Sequence, residues 1–256
     1  MAVATPPPPS PPAPRGPSID ERGVARHDSI DADRWSSFGS VKVLRSADVR
    51  EARLHGSATL GASLLADRLT LDGSLEVGGD LVAREVLSAR GELRVTGTVR
   101  AGEASVRGPA RVVGAVTVDR KLEVVGELRA PSVAAGELRV EGSMEVPGAI
   151  RSTAVNLALH HGSRVGSIEA RSVRLSIAGT SPIDRLRGQR AEARVERVEA
   201  ERVEIDGVDV GFVHADVATL GPGAHVTTLE AKEIRRHPTS RVGPESRSPP
   251  PYGLRR

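Results

Sequence analysis

A phrase of seven residues, apolar-x-apolar-x-Gly-x-apolar, recurs between Leu69 and Met144. It reads Leu69-Thr-Leu71-Asp-Gly73-Ser-Leu75 and, overlapping it, Leu75-Glu-Val77-Gly-Gly79-Asp-Leu81. It returns as Leu93-Arg-Val95-Thr-Gly97-Thr-Val99, Leu122-Glu-Val124-Val-Gly126-Glu-Leu128 and Leu138-Arg-Val140-Glu-Gly142-Ser-Met144. A short motif of strict alternation with small residues at fixed points is the mark of a solenoid, in which each unit buries its apolar face only by stacking on the next.

Alternation at period two places every second side chain on one face, so the apolar positions point inward and Glu, Arg, Asp and Thr point out. In the stretch from Leu75, positions 75, 77, 79, 81 and 83 share the inward face, with Gly79 and Ala83 as the small members. A second half-unit, apolar-x-Ala-x-x-apolar, centres on Ala66, Ala83, Ala130, Ala170, Ala200 and Ala231. In the copy at Ala83 it ends on Val86, which is then an inward residue. Alanines 66, 83 and 101 lie 17 and 18 apart, and Ala215 and Ala231 lie 16 apart. A turn of that length, three short strands and three corners, is one coil of a single-stranded parallel β-helix. The fold class expected is therefore all-β, with about 11 coils in a rod on the order of 50 Å long.

The body is expected over residues 41–236. Residues 1–40 open with Pro6-Pro7-Pro8-Pro9-Ser10-Pro11-Pro12, an extended tract unable to join a sheet, and read as a disordered arm. Ser18-Ile-Asp-Glu21 has capping-box spacing for a brief helix, with no apolar stripe after it. Residues 237–256 carry Pro238, Pro244 and Pro249-Pro250-Pro251 and read as a second disordered tail. Residues 179–190, with Ser181-Pro182, interrupt the rod as a loop. Residues 189–205 have helical composition, but Val198, Ala200, Val203 and Ile205 keep the strand register, and strand is preferred.

Composition narrows the function. Aromatic residues are only 2% of a chain that is 38% apolar, so Val, Leu, Ile and Ala fill a stack of thin layers. Cysteine is absent, which removes disulfides and thiolate metal sites. No apolar run reaches bilayer-crossing length and the N-terminus has no signal-peptide apolar core, so a cytoplasmic protein is expected. The net charge of +3 belongs to the tail: from Arg235 onward six arginines and one acid, Glu245, sum to +5, leaving −2 for the rest. A basic groove with aromatic platforms is missing, so no specific nucleic-acid partner is expected. The basic tail suits an acidic partner or an anionic membrane surface as a minor possibility; a solvated tail is the simpler reading. Likewise the Pro-rich arm suits docking on an aromatic groove, although a spacer is simpler.

The repeat units quoted, together with Leu220-Gly-Pro-Gly-Ala-His-Val226, resemble those of the bactofilins, bacterial cytoskeletal and polymer-forming proteins. The resemblance covers residues 41–234. It implies a right-handed β-helical core between disordered tails, nucleotide-free self-assembly into filaments, and in some members association with the inner face of the membrane. This body is longer than a usual bactofilin core, and its second half is more charged and less regular.

Chemistry finds little support. Acyltransferases of the hexapeptide class are the obvious enzymatic β-helix, but His160-His161 sit at a corner and His214 and His225 occupy outward places, with no acceptor pocket around them. The His pair lacks a third ligand at fixed spacing, so no metal site is expected. No Gly-Lys-Ser/Thr phosphate loop exists, so no nucleotide cofactor is expected. A carbohydrate-active β-helix would want aromatic platforms for sugars, and no small-molecule substrate is expected. Two readings remain: a self-assembling scaffold, and a non-polymerising binding module that uses a flat face. For the first, the joints are placed in the terminal coils, at Val41, Val43 and Leu44 and at Leu229 and Ile234. Trp35 and Phe38 are the candidate cap of the N-terminal end.

Overall fold

The computed structural model describes residues 16–178 and 193–243. The strands are β1 (Ile19–His27), β2 (Ile30–Val43), β3 (Ala47–Leu60), β4 (Leu64–Val77), β5 (Leu81–Val95) and β6 (Val99–Val112). They continue as β7 (Val116–Arg129), β8 (Val133–Leu159), β9 (Arg164–Ile177), β10 (Arg194–Asp206), β11 (Asp209–Leu220), β12 (His225–Arg236) and β13 (Arg241–Val242). All lie in one parallel sheet in chain order. A parallel sheet whose neighbours are consecutive in sequence is a coil wound on itself, here a β-solenoid of about twelve turns.

One turn shows why these residues wind. In β4 the pairs Leu64 and Ala66, Leu69 and Leu71, and Leu75 and Val77 all point inward, each no more than 1% exposed. Three corners separate those pairs. The first lies at Asp67-Arg68, the second at Gly73 and the third at Gly78-Gly79-Asp80, where the strand ends. Each inward residue lies over its counterpart one turn away, as in Leu64 over Leu81 and Leu71 over Ala89. The lumen is thus six columns of aliphatic side chains, which narrow layers fill without aromatic bulk.

The glycine corner is the stereochemical core of the coil. Gly73, Gly126 and Gly142 have φ of 137°, 135° and 140°, a region L side chains avoid. They stand in a column that runs from Gly23 through Gly142. A Cβ on Gly126 would meet the Gly108 carbonyl oxygen at 2.6 Å. Gly79 and Gly97 belong to the third corner instead, where Gly97 N–H donates to Gly79 O at 2.9 Å. The five glycines of the sequence phrase therefore divide between two corners. Gly79 is a partly exposed corner residue and takes no inward place. The corner spends three residues, so the inward count restarts at Leu81.

The alanine column is real and needs one correction. Ala66, Ala83 and Ala101 stack in one run of this column and Ala170, Ala200, Ala215 and Ala231 in another, with Val118 next to Ala101 and Ser152 next to Ala170 between the runs. Ala130 does not join it. Val133 pairs with Val116, one column earlier, and Ala130 N–H donates to Glu145 O at 3.2 Å on a different flank. Its motif is a copy from another side of the coil. The bulge between Ala83 and Val86 also moves the inward place from Val86, 37% exposed, to Leu87.

The rod starts earlier than residue 41. β1 and β2 pair in register from Ile19↔Trp35 to His27↔Val43, so the stretch expected as a disordered arm holds the first turn and most of the second. Ser18 precedes a strand, and no helix forms at the capping-box spacing. The alternation was hidden because inward places here carry Glu21, His27, Trp35 and Ser37 in place of aliphatics. At the other end β13 pairs with β12 and carries the sheet past residue 236, into the expected tail. The segment 194–205 is strand, paired to β9 and β11, as its register requires. Residues 1–15, the expected loop at 179–190 and residues 244–256 lie outside the described residues.

Outward charges form ladders between turns. Arg34 Nε lies 3.1 Å from Glu51 Oε2, Arg68 Nε 2.7 Å from Glu85 Oε2, and Arg151 Nε 3.0 Å from Glu169 Oε2. Such exposed pairs add little stability each. They also leave a surface of balanced sign. At the third corner an acid is held by hydrogen bonds in place of an ion pair: Asp80 Oδ1 accepts from the Thr98 backbone N–H at 2.7 Å and from its hydroxyl at 2.9 Å. The backbone bond, then the hydroxyl bond, hold the Asp80 carboxyl below the ordinary aspartate range. A depressed folded-state pKa gives stability that is present above the unfolded value and lost as pH falls through the folded value. Carboxyl NMR titration should therefore find Asp80 titrating low. Thr98→Val should move it back only part of the way, because the backbone donor remains.

Candidate functional site

The rod has two ends, and the candidate site is the chemistry displayed at each. The expected N-terminal joint is displaced. Val41 and Val43 are 3% and 0% exposed inside the second turn, flanked by β1 and β3. Leu44 lies at the following corner, 40% exposed, with its N–H donated to His27 O at 2.9 Å. None of the three forms an end. Trp35 is a fully buried core residue beneath Ile19, and its Nε1–H has no hydrogen-bond partner. Phe38 points outward, 51% exposed, and stacks on the His55 ring at 4.7 Å. Neither caps the rod, because β1 lies above both.

The cap that does exist was not read from the sequence. Inward places on β1 are held by Ile19, Glu21, Ala25 and His27. Ile19 and Ala25 pack against the core, whereas Glu21 and His27 meet each other through Oε1 and Nε2 across the end of the lumen. Glu21 is mostly buried there, with a side-chain exposure of 11%, and its second carboxylate oxygen is unpartnered. The N-terminal layer is therefore polar at its middle. The only sequence signal was two polar residues six apart on inward parity, which repeat matching discards as a failed copy.

The C-terminal end is different. In β12 the inward places are held by Val226, Leu229, Ala231 and Ile234 and, over Leu220, by Arg236. β13 covers only the flank of His225 and Val226, through His225↔Arg241 and Val226↔Val242. Beyond it, no described strand pairs with the outer edge of residues 228–236. Leu229 and Ala231 are half-buried and Ile234 is 45% exposed. The two expected C-terminal joint residues, Leu229 and Ile234, thus lie together on an open apolar layer with Ala231 between them. Its rim carries Lys232, bonded to Asp216, and the Glu233–Arg235 pair. The hydrogen bond to Asp216 raises the Lys232 pKa, so the rim charge persists at any ordinary pH.

The remaining candidates for chemistry are dispersed. His160 and His161 are exposed in the turn between β8 and β9, and His214 lies 3.3 Å from Glu230 on the surface. His225, expected to face solvent, is 18% exposed, with Nε2 3.2 Å from Gly243 O beneath β13. Among the described residues no three His, Cys, Asp or Glu side chains converge on one point. A shallow groove on one flank is lined by Lys121, Arg139, Asn156, Arg174 and Glu204, with Arg174 3.5 Å from Glu204 and Lys121 3.1 Å from Glu123. Its charges are of both signs and stand on long exposed side chains. No helix among the described residues is long and apolar enough to cross a membrane.

Comparison with known proteins adds little to this geometry. No family model and no solved structure matches the chain. One curated protein, a ubiquinone biosynthesis O-methyltransferase of Methylobacterium sp. (strain 4-46), is 40% identical over 93 residues, 33% of this chain. The chain spans 36% of that protein's length, a partial likeness that carries no family assignment.

Proposed function

We propose that this chain is a non-catalytic structural scaffold, a stiff rod that assembles end to end without nucleotide and recruits partners through the segments beyond its ends. The observation that carries the reading is the open apolar layer of Leu229, Ala231 and Ile234 beside an unpaired strand edge. Open sheet edges template pairing with further chains unless they are covered or charged. Covering a Leu or Ile contributes about 1.5–3 kcal/mol, and two such layers meeting bring four of them together. With a few edge hydrogen bonds at about 1 kcal/mol each, the gain is comparable to the roughly 4–15 kcal/mol that association costs.

The likeness of the repeats to bactofilins supports the same reading, as do the balanced surface charge and the dispersed histidines. Sedimentation velocity and negative-stain microscopy of purified protein test it. Species larger than one rod, unchanged by ATP, GTP or a chelator, are expected. A monodisperse single rod at all accessible concentrations would replace it with the second reading, a binding module. The partial methyltransferase likeness covers a third of the chain, and among the described residues no three His, Cys, Asp or Glu side chains converge, so it motivates no catalytic reading here.

A further inference from the structure

We propose that the groove on the flank of β7 to β10 binds an acidic peptide segment of a partner protein, held in extended form by Arg139 and Arg202 on its two walls. The site lies on the side of the rod, so it stands whether or not the ends assemble. The groove, about 510 Å³, exists because the outward residues change size there. Two adjacent turns, the second half of β8 and then β9, carry Ala154 and Asn156, then Ser172 and Arg174, at their outward places on this flank. Longer side chains stand on both sides of these low turns, Glu137 and Arg139 on one wall and Arg202 and Glu204 on the other. The floor between them is two turns, roughly 10 Å, across. Small residues continue to Ala158 and Ser176 at the next outward places, so no described side chain of these two turns closes the groove toward the glycine corner. A trough of this form suits a chain that runs through it better than a small molecule that needs enclosure.

Charge selects the occupant. Four cations line the groove, Lys121, Arg139, Arg174 and Arg202, against the two carboxylates of Glu137 and Glu204. Elsewhere an outward Arg meets an acid one turn away, as Arg68 meets Glu85 and Arg151 meets Glu169. The low turns break that rule. Arg202 lies between Ser172 and Val217 and makes no ion pair among the described residues. Arg139 lies beside Glu123, whose carboxylate is already bonded to Lys121 at 3.1 Å. Two guanidiniums on opposite walls are thus left unmatched, and their planar forks fit carboxylates. An extended segment turns successive side chains to opposite sides, so two neighbouring acids reach Arg139 and Arg202 together. The Asn156 amide on the floor can serve the peptide backbone, because it donates and accepts. Other polyanions fit less well. A nucleic-acid strand calls for aromatic platforms, and no aromatic side chain lines the groove. A lipid surface is flat and does not reach a floor that lies between raised walls.

The full chain tests this with a fluorescein-labelled hexaglutamate peptide, followed by fluorescence anisotropy at physiological ionic strength. Saturable binding is expected, weakening as salt is added. Arg139→Ala and Arg202→Ala should each weaken it by about three- to fivefold, as expected for single exposed ion pairs. Arg139→Glu/Arg202→Glu should abolish it. These are exposed side chains, so circular dichroism and Tm should not move. Arg94→Glu/Arg111→Glu makes the same change of charge on another flank and should leave binding within about twofold. Ala154→Phe raises the floor without a change of charge and should also remove binding. Equal losses in the groove and the distant charge-reversal variants would reduce the effect to net charge and overturn the site, as would a peptide that does not bind at all. Tighter binding of oligothymidylate or of phosphatidylserine vesicles than of the peptide, lost in the same variants, would overturn the choice of ligand. Sedimentation of the same samples reads assembly separately, so failure of this site and failure of the scaffold reading are told apart.

Discussion

Gly126→Val should lower stability by about 3 to 5 kcal/mol, with a fall of roughly 10 °C in Tm for a chain of this size. Two effects add. The backbone at Gly126 has φ of 135°, where a β-branched residue costs about 1–3 kcal/mol. The new Cβ also meets the Gly108 carbonyl carbon and oxygen at 2.9 and 2.6 Å. That carbonyl is backbone fixed by the ladder on both sides, so it cannot swing away as a side chain would. The two effects separate experimentally. Gly23 has φ of 89° but nothing within 4 Å of its missing Cβ, so Gly23→Val should show the conformational cost alone, at about 1–3 kcal/mol. Urea midpoints of the two variants decide the matter. Equal losses would mean that the close stacking of turns is not what demands glycine in the column.

That column also explains how far the sequence could be read. Alternation with a spacing of 16 to 18 residues was enough to give a parallel coil, because only stacking lets so many Val and Leu side chains be buried with so few aromatics. Assigning each residue to its flank was harder. All three flanks of a turn use the same short apolar-x-apolar word, so a motif match carries no information on which flank it describes. Ala130 and the pair Gly79 and Gly97 were misplaced for that reason, and a one-residue bulge exchanged Val86 for Leu87. The ends were the least legible. An end layer is defined by what fails to cover it, which alternation does not encode, and a two-residue strand such as β13 has no pattern to detect. Val43 looked terminal only because Trp35, Ser37, Glu21 and His27 interrupted the aliphatic rule above it.

Ile168→Asp and Leu229→Asp place the same carboxyl in the same column at two heights, and their effects should differ in kind. Ile168 is fully buried, with Ile150 on one side and Val198 on the other. Replacing it removes a filled place, about 2–5 kcal/mol by the measure of large-to-small changes, and adds a carboxyl with no donor nearby. The sum approaches the whole stability of a typical domain, so the central turns should open at neutral pH. A buried carboxyl without partners has its folded-state pKa raised, so the folded form holds its proton longer than the unfolded chain does. The penalty is therefore smallest below the unfolded value and grows as pH rises through it. Urea unfolding relative to wild type should show Ile168→Asp recovering part of its loss at pH 4. Leu229 pairs with Val213 alone and its other side is open, so an aspartate there keeps its water. Its unfolding stability should move by no more than about 1 kcal/mol, while any species larger than one rod should disappear from sedimentation. Turns of a solenoid depend on their neighbours only, which is why one substitution ruptures the rod and the other merely changes what its end will accept.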